Sequence, residues 1–228
     1  MILCIAEVGC HSLHAPSHAT VAVSATPEAR QPSKVAARWK VSDGKRPHWI
    51  YPQPTGTRPG TAVDWHRTRL HAGLQPAVAA EAFATAAQAL QIAHHYDLLI
   101  IDGPARTSSG TLAIAKVADL VVQPTGASVD DLKPAVREFH ALVQAGIHRD
   151  KLVFALNRIG TPTEETEARA YIAEADYAVL DGCLLERPAY RTAQNSGRAV
   201  TETSFRTLNT KADALIQALI DRVGDGHG

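Results

Sequence analysis

The sequence predicts an α/β fold, a mostly parallel sheet with helices on both faces. Three observations predict it. Short continuous aliphatic runs, DLLII (97–101), DLVVQP (119–124) and KLVFALN (151–157), lack the polar alternation of a half-solvated sheet. Such strands need cover on both sides, the usual condition of parallel pairing. The runs alternate with longer segments of helical periodicity, as in strand–helix–strand units. Finally, Asp102, Pro124 and Asn157 all fall at the carboxyl ends of these runs, where open parallel sheets gather their ligands.

Taken in chain order, MILCIAEV (1–8) reads as a first strand and SKVAARWKV (33–41) has helical character. Residues 7–33 and 46–60 show weak periodicity, and the first 75 residues hold seven of the thirteen prolines and six of the eleven histidines. The first strand should feed a glycine-rich turn and a helix, but those turn residues are missing. From Pro76 onward the pattern is regular. AVAAEAFATAAQALQIAHHY (77–96) reads as one alanine-rich helix, with His94 and His95 at its end. SGTLAIAKVA (109–118) reads as a short helix, with Ser108 and Ser109 as N-cap candidates. In residues 128–147, Leu132, Val136, Phe139 and Val143 recur on one helical face, and Ser128 with Asp131 forms a capping box. Residues 161–175 open with Thr161 as cap, Pro162 at the first helical position and Glu164 closing the box. The last helix, 205–223, carries Leu208, Ala212, Leu215 and Leu219 as its stripe.

The totals fit a globular chain. Hydrophobic residues make up 45% and charged residues 20% of 228. Lysine plus arginine equals aspartate plus glutamate at 23 each, so the overall charge does not point to nucleic acid, though it leaves local basic patches open. Cys4, Cys10 and Cys183 are scattered without metal or redox spacing and read as buried thiols of a reducing compartment. No apolar run approaches the ~18 residues of a membrane span, and the N-terminus lacks the basic flank of a signal peptide. The expectation is a cytoplasmic chain with no membrane contact. His14 and His18 are spaced for a helical metal pair, but Pro16 between them argues against the helix.

Several motifs in order carry a resemblance: YDLLIIDGPA (96–105), ADLVVQPTGASVDDL (118–132), LVFALNRIGT (152–161) and LLERPAYRTAQNSGRAVTE (184–202) before a closing helix. Together they resemble the ParA/MinD family of deviant-Walker P-loop ATPases, specifically small ParA-type plasmid partition proteins. The resemblance covers residues 76–223, with residues 1–60 atypical, and GTAVDWHRTR (60–69) resembles the stretch after that family's second strand. It implies a P-loop NTPase-like fold in a single domain, 1–228, and ATP and Mg²⁺ as cofactors. It also implies a homodimer that binds DNA non-specifically and answers to a centromere-binding ParB-like partner. Asp102 takes the Walker B position, orienting water on Mg²⁺, with Gly103 and Pro104 following it. Asn157, Arg158 and Pro188 take positions near the adenine. Arg187, Arg191, Arg198, Arg206 and Lys211 fall in the family's general DNA-binding region.

The family's Walker A loop is matched poorly. Its best placement, Leu13-His-Ala-Pro-Ser-His-Ala-Thr20, puts Leu13 at the intermonomer lysine and Ser17-His18 at the Gly-Lys pair. Ala19 then stands at the Mg-binding hydroxyl with Thr20 beside it. A second placement on Gly9-Cys10-His11-Ser12 keeps one glycine and the serine but has no lysine. The second motif falls on Tyr51–Gly56, where both acids are gone. A phosphate cradle works through inward-pointing backbone N–H groups, close approach at glycine, and a lysine charge. Proline removes a donor, and histidine, with an ordinary pKa of about 6.5, is a poor substitute for lysine. Since one cationic contact can carry about 10³–10⁵ in phosphoryl-transfer rate, the expectation is a weak or absent ATPase. Two other readings stay open: a non-catalytic ParA-like dimerisation or regulatory module, and a disrupted segment at 8–60 joined to an intact body.

Overall fold

The structure, a computed structural model, describes residues 2–5, 48–52, 61–76, 78–83, 85–91, 93, 98–102 and 109–225. Seven strands form one sheet: β1 (Ile2–Ile5), β2 (His48–Pro52), β3 (Ala79–Phe83), β4 (Leu99–Asp102), β5 (Leu120–Thr125), β6 (Leu152–Leu156) and β7 (Ala178–Val179). The described helices are α1 (Thr61–His71), α2 (Ala86–Gln91), α3 (Ser109–Val117), α4 (Val129–Gln144), α5 (Pro162–Glu174), α6 (Pro188–Asn195) and α7 (Arg206–Asp225). The strand order is β3-β2-β4-β1-β5-β6-β7, and every pairing is parallel.

The aliphatic runs lie where continuous apolarity demands. Leu99, Ile100 and Ile101 are buried, and all five residues of β6 are as well. Successive residues supply opposite faces, so the sheet divides two cores. Ile100, Val122 and Val153 meet Trp65 of α1, Tyr190 of α6 and the Ala212, Leu215 and Leu219 stripe of α7. Leu99, Ile101, Val121 and Phe154 meet Ile114 of α3, Phe139 of α4 and Ile172 of α5. Each fully buried large aliphatic contributes about 1.5–3 kcal/mol of transfer free energy. Phe139, Phe154 and Tyr177 lock the second core through ring contacts of 4.4–5.9 Å.

The two expected side-chain N-caps form, each with a return bond that differs from the one in a capping box. At α4, Asp131 N donates to Ser128 Oγ at 3.1 Å and Ser128 Oγ donates to Asp131 Oδ2 at 2.8 Å. At α5, Glu164 N donates to Thr161 Oγ1 at 3.2 Å, and the Glu164 carboxylate accepts from Gly160 N at 2.9 Å. Cys183 is buried as expected, and burial followed by the Glu165 carboxylate pushes its thiol up to about 11.

One segment departs from the sequence reading. Residues 77–96 do not form a single helix: Ala79–Phe83 is strand β3, and the described helix is Ala86–Gln91. Alanine favours helix only weakly, by a few tenths of a kcal/mol per residue over ordinary residues. Five in-register pairings of β3 with β2, from His48↔Ala79 to Pro52↔Phe83, outweigh that preference. Strand β2 was itself hidden in a proline-rich stretch of weak periodicity, yet its Trp-Ile-Tyr centre is strongly β-forming.

Candidate functional site

Strand order fixes the site before any side chain does. From β1 the chain winds outward to β2 and β3, returns to β4, then crosses β1 to β5 and continues outward through β6 and β7. The direction of winding therefore reverses around β1. Such a reversal opens a crevice beyond the carboxyl ends of the flanking strands. Asp102, half-buried, is the last residue of β4 and is paired with Ile5, the last residue of β1. The acid stands at the carboxyl rim beside the strand-order switch.

The other rim residues come from β5, β6 and the approach to α6. Asn157 N donates to the Thr125 carbonyl at 2.8 Å, extending the ladder past the end of β6. Asn157 Oδ1 accepts from Arg158 N at 2.9 Å, and Arg158 adopts φ +56°, a left-handed conformation that non-glycine residues seldom take. Its guanidinium lies 3.6 Å from Asp131, tying the β6 turn to the cap of α4. Beyond it, Ile159 bridges Leu185, and Glu186 N donates to the Ile159 carbonyl at 2.9 Å. That bridge brings Pro188, the first residue of α6, to the same edge as Asn157 and Arg158. Three inter-strand steps of about 4.8 Å separate β4 from β6, and Asn157 lies four residues beyond Val153, which is level with Asp102 through Ile5 and Val122, so the two backbones stand about 20 Å apart. An elongated ligand with two chemically different ends matches that spacing.

Gln123 lies one residue beyond the last β1–β5 pairing, is fully buried, and its Oε1 has no hydrogen-bond partner among the described residues. Among the described residues no group of three or more His, Cys, Asp or Glu side chains gathers as a metal site. The Walker A placements at 9–20, including Ser17, His18, Ala19 and Thr20, lie outside the described residues, as do Gly103, Pro104 and Ser108. The second-motif placement is described only at Tyr51 and Pro52, which end β2.

Of the basic residues, Arg187, Arg191, Arg198, Arg206 and Lys211 are all exposed. They do not form one stripe. Arg191 is ion-paired with Glu186. Arg206 and Lys211 are five residues apart on α7, which puts them about 140° apart around the helix, and Lys211 lies near enough to Cys183 to act on its thiol.

The sequence reading missed a buried ionic cluster that joins α1 to the chain after α6. Arg69 is 1% exposed, and its five N–H donors are all engaged. Nη1 and Nη2 donate to the two Glu202 oxygens at 2.7 and 3.0 Å, and also to the carbonyls of Gly197 and Gln75 at 3.0 and 2.9 Å. Nε donates to the Pro76 carbonyl at 3.1 Å. Trp65, one turn earlier, donates Nε1 to the Arg198 carbonyl at 3.0 Å. Burial alone raises the Glu202 carboxyl, but Arg69, the Ala199 N–H and Arg198 together hold it below the usual carboxylate range. The only signal in the sequence was the i, i+4 spacing of Trp65 and Arg69, which does not name partners 130 residues away.

Solved structures share this architecture. No protein-family model matches the chain, and no curated protein matches it. MinD from Pyrococcus horikoshii OT3, complexed with Mg-ADP, superposes with a TM-score of 0.58 at 12% identity, covering 80% of this chain and 86% of that one. An McdA variant of Cyanothece in complex with ATP gives 0.55 at 16% identity, covering 78% and 86%. A ParA family ATPase from Chlorobium tepidum TLS gives 0.51 at 15%, covering 77% and 86%. The chain has a ParA/MinD-like fold. The parallel sheet with helices on both faces is the architecture that the sequence predicts, with β3 the departure already described. No described helix is long and apolar enough to cross a membrane.

Proposed function

We propose that the chain is a ParA-like partition protein acting in ATP-dependent segregation of plasmid or chromosomal DNA, with ATP binding and hydrolysis impaired. The observation that carries this reading is Asp102 at the carboxyl rim, next to the end of β1, in a fold shared with nucleotide-bound MinD and McdA. A carboxylate there suits Mg²⁺, a hard cation that takes oxygen ligands and keeps several waters. In this reading Asp102 holds such a water, Thr20 supplies a hydroxyl, and Ser17, His18 and Ala19 lie along the phosphates. Gly103 and Pro104 shape the turn after Asp102, and Asn157, Arg158 and Pro188 flank the base about 20 Å away across the strand ends. The whole of 1–228 acts as one domain and pairs as a homodimer. Arg187, Arg191, Arg198, Arg206 and Lys211 supply phosphate contacts to non-specific DNA, and a ParB-like partner bound at a centromere triggers release.

A second reading, a non-catalytic ParA-like dimerisation or regulatory module, is favoured by the leucine and histidine standing at both lysine positions, Leu13 and His18. Titration of a fluorescent ATP analogue with Mg²⁺, followed by phosphate release with and without duplex DNA, separates the two. The partition reading expects micromolar binding and DNA-stimulated release that Asp102→Ala abolishes. Absence of both binding and release leaves the module, and release unaffected by Asp102→Ala sinks the assignment of that acid.

A further inference from the structure

Between α6 and the start of α7 runs an open groove of about 880 Å³. One wall is a single face of α6, where Pro188 and Ala189, then Thr192 and Ala193, then Ser196 recur a turn apart. Phe205 and Leu208 form the facing wall. Tyr190 Oη donates to the Leu208 carbonyl at 3.0 Å and fastens the two walls together.

Phe205 is 57% exposed, yet its segment is firmly held. Thr203 N and Oγ1 donate to Asn209 Oδ1 at 2.9 and 2.6 Å, and Asn209 Nδ2 returns a bond to the Thr203 carbonyl at 3.0 Å. Phe205 N donates to Thr203 Oγ1 at 3.1 Å. The ring is therefore presented at the groove by a pinned turn, and little ordering entropy remains to be lost when something covers it.

Two of the three charged side chains that line the groove are basic, and Arg198 also acts on the third, Glu202. Its acid, Glu202, is already engaged by Arg69. Arg187 precedes α6 and Arg198 follows it, so the two exposed residues bracket a helix about 12 Å long, and both line the groove. Arg187 donates only to the neighbouring Glu186 carbonyl, and neither arginine forms an ion pair among the described residues. An apolar trough with a cation beyond each end of α6 selects an occupant that is apolar in the middle and acidic at both ends.

We propose that this groove docks an acidic amphipathic segment of a partner protein, with carboxylates about two helical turns apart and apolar side chains between them. The inference goes beyond the nucleotide reading and does not require it. DNA would engage the arginines through its phosphates but would leave Phe205 and the apolar walls uncovered.

The test is fluorescence anisotropy on the full chain with a fluorescein-labelled helical peptide of about twelve residues, glutamates two turns apart and leucines between. Saturable binding that weakens with salt is expected, falling about tenfold in Phe205→Ser and at least about tenfold in the Arg187→Glu, Arg198→Glu double variant. Val129→Ser, which alters a similarly exposed apolar residue elsewhere (54%), leaves binding unchanged. A peptide with lysine in place of glutamate, tested on the unaltered protein, does not bind, so the charge requirement is read without any variant having to fold. Equal binding of the lysine peptide, or indifference to Phe205→Ser in a variant whose circular dichroism melt is normal, overturns the proposal. So does duplex DNA that binds through the arginines without Phe205 while the peptide fails to bind.

Discussion

At Arg69, one buried guanidinium is the junction between α1 and the chain after α6. Removing one partner of a buried pair leaves the other charge uncompensated, at a cost of about 3–5 kcal/mol. Glu202 keeps 29% of its side chain exposed, so the lower end of that range applies. Arg69→Met is expected to lose about 3 kcal/mol in a urea titration, and a loss below about 0.5 kcal/mol would show that the cluster does not hold the fold. The pH dependence follows from the depressed Glu202 carboxyl. Its contribution is complete above the unfolded value of 4.5 and is lost as pH falls from there through the lower folded value. Asp213, raised by burial from 3.8, works in the opposite sense: its charged form is disfavoured in the fold, so it adds stability as pH falls. Against Glu202→Gln, which keeps Asp213, the unaltered protein is expected to lose stability more steeply as acid is added below 4.5. Equal slopes would remove Glu202 from the account.

At the scale of elements, the turn after α6 is the most constrained connection described. Gly197 has φ +73°, and a Cβ there would sit 2.5 Å from Arg69 N and 2.6 Å from Arg69 Cα. The chain after α6 thus passes directly against the α1 backbone, a contact that only glycine permits. Gly197→Ala combines a disfavoured φ with a clash against main chain that has no flexible end to move. A loss of about 3 kcal/mol or more is expected in thermal or urea unfolding. A loss under about 1 kcal/mol would mean that α1 shifts easily, and the approach is not a constraint. The helices with side-chain caps were legible from sequence because the signals are local: Ser128 with Asp131, and Thr161-Pro162 with Glu164, need no distant partner. Strand β3 was not legible, because nothing within Ala79–Phe83 announces a strand. Its conformation comes from the β2 edge that it completes.

For the whole molecule, the strand order makes the crevice, and a ligand held there should stabilise the fold by mass action. If the nucleotide reading holds, Mg²⁺-ATP at about a hundred times its dissociation constant raises stability by about 2.7 kcal/mol. That is a shift of several degrees by differential scanning fluorimetry, and Asp102→Ala is expected to remove its Mg²⁺-dependent part. No shift at millimolar nucleotide would argue for the non-catalytic module. The groove between α6 and α7 shares Pro188 with the proposed base site, so binding of an occupant there is measured first without nucleotide and then with it.

The sequence by itself determined the layered class, the apolar runs β4, β5 and β6, the capped helices, and the placing of Asp102, Pro124 and Asn157 near strand ends. All of these follow from local periodicity and from the rule that two-sided burial needs continuous apolarity. Only the tertiary structure decided that β1 lies between β4 and β5, that an alanine-rich segment becomes an edge strand, and that Arg69 meets Glu202. Those outcomes depend on pairing energies between residues far apart in the chain. A propensity read within one window carries no information about which distant partner will supply them.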